Sequence, residues 1–355
     1  MIEGGRWGRR YSGNRGWGIV ALFLVVVLVA TSIAGYASGW GVAGLSGSRR
    51  SPRGAALGNV RLNGGPGAVA VGGGENRPSP VGLRTGPHVS VLTYHHLLPP
   101  ADARALGPNP MIVTTDAFGA QMHYLKSHGY VTLSMAQMAA FVQGKAAVPR
   151  RAVLITFDDG YQSVYRYAFP ILRALDFKAT IFVITGLVPR DDQPFDPRTL
   201  SYLSWHQLRI MESSGLVDVE GHTDALHSMV GGRPAALAAS PDEVRSDLIR
   251  SRQKIAAAVG EAPLAMAYPF GGYDAAVASA AKQAGFALAF SGGQYRPVFP
   301  YDAPYALARY GVFAGRSLAA FAAMAAGDYG ATRRGRTLTT RPAPRPSGSA
   351  VRTGR

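Results

Sequence analysis

Short apolar runs alternate with amphipathic stretches through the middle of the chain. VSVLTY at Val89–Tyr94 and AVLITF at Ala152–Phe157 are almost uninterrupted apolar runs of strand length, the pattern of strands buried on both faces. Further runs at 130–133, 179–184, 217–220, 264–268, 286–290 and 306–312 predict more strands. Helical patterns lie between them. Phe118, Met122 and Leu125 recur at helical spacing within 116–128, with Thr115 as the candidate N-cap. Helices are also predicted over 135–142, 163–175, 275–283 and, behind Ser204, 204–212. Ser240-Pro241-Asp242-Glu243 opens a long one, with a cap, a first-turn proline and two first-turn acids. Repeated β-α units imply an α/β fold with a mainly parallel sheet. About seven such units fit a distorted (β/α)7-type barrel better than an open sheet, and catalytic residues then belong at the C-terminal ends of strands.

The flanks read differently. Residues 18–37, GIVALFLVVVLVATSIAGYA, carry no charge, enough for a helix across a bilayer. Trp17 and Trp40 flank the run, and Arg6, Arg9, Arg10 and Arg15 precede it, so the remainder would lie outside the cytoplasm. The run predicts a transmembrane helix; the rival reading is a signal peptide cut near Ala37, which would leave the protein secreted. Residues 41–87 are rich in Gly, Pro, Ser and Arg and read as a flexible linker. The expected organisation is therefore a basic cytoplasmic segment over 1–16, an anchor or signal sequence over 17–40, a linker over 41–87, a catalytic domain over 88–330 and a disordered Arg-rich tail over 331–355.

Charge follows the same division. The chain has a net charge of +16, but residues 1–87 hold ten Arg against two Glu, and 331–355 hold seven Arg and no acid. The middle, with 20 Lys and Arg against 19 Asp and Glu, is nearly neutral. A nucleic-acid groove needs its charge on the folded surface, so no nucleic-acid partner is expected. The tail is either merely solvated or attracted to an anionic envelope polymer. Cysteine is absent, which excludes disulfide scaffolds, thiolate metal sites and thiol nucleophiles. Any metal must be held by His and carboxylates.

Four segments at strand ends carry candidate chemistry. Thr156-Phe157-Asp158-Asp159-Gly160-Tyr161 puts two adjacent carboxylates behind a buried strand; one can face a metal and the other a substrate, or the pair can be a helix cap and a turn acid. Glu220-Gly221-His222-Thr223-Asp224-Ala225-Leu226-His227 places two His five apart on a loop, suited to zinc or a similar divalent ion, or simply on a surface. Ala267-Tyr268-Pro269-Phe270-Gly271 fixes a turn whose exposed N–H can donate to an oxyanion, although such a turn is also ordinary. Thr93-Tyr94-His95-His96 ends the first strand, where His95 can protonate a leaving group and His96 points away. His123, His128 and His206 have no acidic partner motif and read as ordinary helix residues.

Taken together, order and spacing resemble the polysaccharide deacetylase (NodB-homology) family, carbohydrate esterase family 4, over about residues 89–313. TFDDGY matches its first motif, HTDALH its second in a form with one extra residue, and YPFG its third. About 63 residues separate the Asp pair from His222 and about 45 more lead to YPFG. The YH segment ahead of TFDDGY resembles the branch that includes the extracellular poly-β-1,6-N-acetylglucosamine N-deacetylases of biofilm systems. The resemblance implies a NodB-homology barrel and a divalent metal, Zn2+ first and Co2+ or Ni2+ as alternatives, on Asp159, His222 and His227. It also implies Asp158 as general base, His95 as general acid and the Phe270 N–H in the oxyanion hole. One departure is that Ala267 stands where the family often has Arg; Arg309 is the candidate to supply that charge.

The expected activity is metal-dependent removal of N-acetyl groups from N-acetylglucosamine units of a cell-surface polysaccharide, exopolysaccharide or peptidoglycan, with release of acetate. An O-acetyl esterase of the same fold, or a glycan-binding protein without turnover, are the alternatives. Tyr161, Pro269, Tyr273 and Arg309 are the substrate-facing candidates, with Trp205 as a further aromatic; core packing is the competing role for Tyr161, Trp205 and Tyr273.

Overall fold

The computed structural model describes residues 87–292 and 295–329. The expected anchor, the linker up to residue 86 and the tail from residue 330 lie outside the described residues. Among the described residues no helix is long and apolar enough to cross a membrane.

Eight strands form one parallel sheet. In chain order they are β1 (Val89–Tyr94), β2 (Val131–Thr132), β3 (Ala152–Phe157), β4 (Ala179–Val183), β5 (Val217–Gly221), β6 (Ala265–Ala267), β7 (Leu288–Phe290) and β8 (Tyr310–Gly311). Their spatial order is β7-β6-β5-β4-β3-β1-β8, and β2 pairs with the start of β3 on the edge away from β1. A parallel bridge from Phe290 to Leu307 links β7 to the stretch that runs into β8. The sheet thus curls through a full sequence of neighbours, and the segment 307–311 joins its two ends as a broken strand. The expectation of one strand over 306–312 is corrected accordingly: the interruption falls at Ala308 and Arg309.

Alternation along the strands sorts the core. Val89, Val91, Leu154, Phe182, Ala265, Ala267, Leu288, Phe290 and Leu307 belong to one buried cluster. Their sequence neighbours Leu92, Val153, Ile155, Ile181 and Val183 belong to a second, together with helix residues. Successive side chains point to opposite faces, so the first cluster fills the inside of the curl and the second lies under the helices. Burial on both faces is why these strands read as apolar runs.

The longer helices, of seven residues or more, are α1 (Thr115–Ser127), α2 (Met135–Val142), α3 (Phe169–Leu175), α4 (Trp205–Ser213), α5 (Pro241–Val259), α6 (Ala275–Gln283) and α7 (Leu318–Ala325). Ser204 and Ser240 cap α4 and α5 through capping boxes with Gln207 and Glu243. The N-cap of α1 is Thr114 rather than Thr115: its backbone is extended and its hydroxyl accepts from Ala117 N. The predicted helix 163–175 divides into a π-helical turn, Val164–Ala168, and α3. Two small pairings escaped the pattern analysis, a parallel one between His96–Leu98 and Ile112–Thr114 and an antiparallel one between Met229–Val230 and Arg233–Pro234.

Candidate active site

Register places the chemistry. Tyr94 on β1 lies opposite Phe157 on β3, so the next residues, His95 and Asp158, leave adjacent strands side by side. Val183 on β4 lies opposite Gly221 on β5, which lies opposite Met266 on β6. His222 therefore emerges between the ends of β4 and β6, and its Nδ1–H donates to Ala267 O at 2.8 Å. In the neutral ring that bond leaves Nε2 as the acceptor nitrogen, open to a cation; the protonated ring donates from both nitrogens.

Asp159, His222 and His227 converge, with one ligand atom from each lying within 4.8 Å of the others. The Asp159 Oδ1 is 3.4 Å from His222 Nε2 and 3.3 Å from His227 Nε2. Ligands at about 2.0–2.2 Å around a tetrahedral zinc stand about 3.3–3.5 Å apart. The donor chemistry and the spacing both fit a divalent cation, and among the described residues this is the one such grouping.

Local backbone sets this up. Asp159, Thr223 and Phe270 all have positive φ, at 72°, 71° and 56°. Asp tolerates that region; a β-branched Thr does not, and each such position stores about 1–3 kcal/mol of strain. Gly160, at φ 78°, lets the chain turn where a Cβ would press within 3.1 Å of Val183 Cγ1. Pro269 is buried and opens a single 3-10 turn, and the N–H groups of Gly271 and Gly272 are taken by Tyr268 and Pro269 carbonyls. Among the described residues no hydrogen bond takes up the Phe270 N–H. The Phe270 ring is 56% exposed and lies 4.8 Å from the His227 ring.

On the other side of the carboxylate pair, Arg309 Nη1 donates to Asp158 Oδ1 at 2.7 Å and its Nε donates to Ser291 O. His95 Nε2 stands 4.0 Å from Asp158 Oδ2. Burial pushes the Asp158 carboxyl up, but Arg309, His222 and His95 outweigh it and hold it below the usual range. Burial likewise opposes charge on Asp159, and the hydrogen bonds from His222 and His227 hold it well below the usual range. For His222 burial lowers proton affinity, yet Asp159 and Asp158 raise it overall. The same negative field favours a cation. Burial lowers His95, with Asp158 and Asp159 offsetting part of the effect.

The remaining candidates distribute as follows. Arg309 turns to Asp158 and is buried, so it is the carboxylate's partner rather than a groove wall. Tyr161 stacks on Tyr202 at 5.5 Å, and burial, with Asp159 nearby, pushes its hydroxyl pKa up. Tyr273 is half-buried; it stacks on buried Tyr268 and packs against the cluster under α5 and α6. Trp205 starts α4 and packs against the main core. His96 is buried, and its Nδ1 hydrogen-bonds the Ser163 hydroxyl. His206 does have an acidic partner, Asp192 at 2.9 Å, away from the cluster. Sequence reasoning missed Tyr202, which the pairing of 161 with 202 brings beside Tyr161. It also missed Asp247, whose helix carried no motif.

Residues 145–289 match the family described as Polysaccharide deacetylase. Over these residues the chain is similar to polysaccharide deacetylases. The poly-beta-1,6-N-acetyl-D-glucosamine N-deacetylase of Staphylococcus epidermidis is 32% identical to it over 160 residues, 45% of this chain and 54% of that protein. The protein of the same name from Staphylococcus aureus (strain MSSA476) is 30% identical over 180 residues, half of this chain and 60% of that one. The chain thus spans little more than half the length of the curated relatives it matches. Among solved structures, IcaB from Ammonifex degensii superposes with a TM-score of 0.58 at 28% identity, covering 69% of this chain and 98% of that one. The de-N-acetylase from Aggregatibacter actinomycetemcomitans gives 0.55 at 28% identity, covering 62% and 94%. The structural similarity therefore extends beyond the residues that match the family by sequence.

Proposed function

We propose that the protein hydrolyses N-acetyl groups on N-acetylglucosamine units of a cell-surface polysaccharide, most nearly a β-1,6-linked one. The observation that carries this reading is the convergence of Asp159, His222 and His227 beside an Asp158 that is itself flanked by Arg309 and His95. The names of the staphylococcal relatives support the linkage.

Asp159, His222 and His227 would hold a divalent cation, Zn2+ by donor chemistry. When bound, such a cation acidifies a water and polarises a carbonyl. Asp158, kept ionised by Arg309, takes the proton of the attacking water on Oδ2, the oxygen that Arg309 leaves open. The new C–O bond places charge on the former amide oxygen, and the Phe270 N–H is free to donate a hydrogen bond to it. His95 delivers a proton to the departing nitrogen as the C–N bond breaks. The products are acetate and a free amine. Burial makes His95 a readier donor than an exposed imidazole.

The uncharged run at 18–37 would anchor the chain in the membrane with the catalytic domain outside, and the Arg-rich tail would lie near anionic envelope polymer. The test is to incubate the full chain with β-1,6- and β-1,4-linked N-acetylglucosamine oligomers, with and without chelator, and to read acetate and free amine. Equal amounts of both products, abolished by chelator, support the reading. Acetate from O-acetylated glycans without new amine would replace it with esterase activity, and metal binding without acetate would leave a glycan-binding role.

A further inference from the structure

The loop between the two histidines is tied to the rest of the fold through four of its backbone groups. Asp247, in the second turn of α5, is 1% exposed. Its Oδ1 accepts from Asp224 N and its Oδ2 from Ala225 N, both at 2.8 Å. The carbonyls of Thr223 and Asp224 accept from Thr185 N and Gly186 N at 3.1 and 3.0 Å, just past the end of β4. The Asp224 side chain takes Lys254 Nζ at 2.6 Å and the Thr185 hydroxyl at 2.7 Å, with Arg250 Nε at 3.5 Å. Asp247, Arg250 and Lys254 stand at i, i+3 and i+7, one face of α5. Gly186 belongs to the same contact, since a Cβ there would sit 2.4 Å from Asp224 O.

Nothing in this arrangement touches the reacting groups directly, yet it governs where both imidazoles lie. Thr223, the residue after His222, is held at φ 71°, a conformation a Thr leaves unless its surroundings enforce it. A buried carboxylate that bonds two consecutive N–H groups supplies that enforcement from outside the loop, as the second layer around a metal commonly does.

We propose that Asp247 is a positioning residue for metal binding: with Lys254 and Arg250 it forms a clasp from α5 that holds the His222–His227 loop in its ligating conformation. This inference rests on the metal reading given above. It makes the loop preorganised, so that affinity for the cation depends on a helix that supplies no ligand.

The experiment compares the full chain with Asp247→Asn and Lys254→Met by chelator-competition titration with Zn2+, by the visible spectrum of the Co2+-loaded protein, and by melting of the metal-free protein. Asn keeps one acceptor and turns a donor toward the other N–H. The expected result for Asp247→Asn is a Zn2+ affinity lower by about 10–100-fold, with an altered Co2+ spectrum. Lys254 is partly exposed, so Lys254→Met tests the clasp with little risk to folding; a smaller loss of the same sign is expected. A merely structural role would lower the melting temperature and leave Zn2+ affinity and the Co2+ spectrum unchanged in both variants, and that result overturns the proposal. If Asp247→Asn does not fold, the Lys254→Met affinity decides alone, with wild-type affinity counting against the clasp. Failure of the unsubstituted chain to bind any divalent ion would instead sink the metal reading itself.

Discussion

Arg309 and Asp158, 151 residues apart in sequence, meet at 2.7 Å with both side chains 5% exposed. The guanidinium comes from the broken strand 307–311, the carboxylate from the end of β3. A buried carboxylate without that partner would be driven toward its neutral form.

Replacing Arg309 with Met is therefore expected to raise the pKa of Asp158. In the proposed reaction Asp158 must be ionised to act as base, so activity is expected above that pKa and is lost as pH falls through it. In the wild type the acid limb should lie low, since Asp158 sits below the usual carboxylate range. In Arg309→Met it should move up by about 1–3 pH units, the usual effect of one nearby opposite charge. A pH–rate profile reads this directly; an unmoved limb would detach Arg309 from the base.

Asp158→Asn and His222→Ala should separate chemistry from metal binding. The first removes the proton acceptor and should lower kcat by about 10²–10⁴-fold with the cation still bound at full stoichiometry. The second removes a ligand and should lose both. Metal analysis of the purified variants checks the assignment, and His222→Ala with full metal content would contradict it.

Phe270→Gly should keep kcat close to the wild-type value. The substitution preserves the N–H and relieves a positive φ. A loss of about 10²-fold or more in acetate release would show that the exposed ring beside His227 acts on the substrate, and that the backbone donor is not the residue's main contribution.

Glu212 gives a prediction for stability. Burial pushes its carboxyl up to about 7. The folded state thus holds a proton that the unfolded chain releases from about pH 4.5, so this group favours folding most at low pH and its benefit is lost as pH rises to about 7. Glu212→Gln keeps an acceptor for Val219 N, which the Glu212 carboxylate now bonds at 2.7 Å. It should raise stability at pH 8 by about 1 kcal/mol, after allowing for solvent screening of a partly exposed group, and change little at pH 4. Melting curves at the two pH values test the sign.

Particular residues show what sequence patterns could reveal. β1 and β3 were legible because burial on both faces leaves an apolar signature. The two Asp and the two His were legible because strand-end chemistry is concentrated in short motifs. Arg309 was reachable only from its place on a late strand, without any motif around it. Asp247 and Tyr202 were not legible, because a helical acid and a loop Tyr have ordinary spacing and acquire meaning only when the fold folds them against the motif loops. The broken strand misled for a related reason: ALARYGV reads as continuous, yet Arg309 leaves the ladder to reach Asp158.

That junction carries a consequence for how the molecule would come apart. The two ends of the curled sheet are joined through Ser291 N to Leu307 O and Leu307 N to Ala289 O, with Arg309 two residues further on. If amide protons there exchange with solvent sooner than those of β3 and β4, partial opening of this seam withdraws the guanidinium from the base before the helices melt. Mild heat or denaturant would then silence the proposed activity while circular dichroism still looked native.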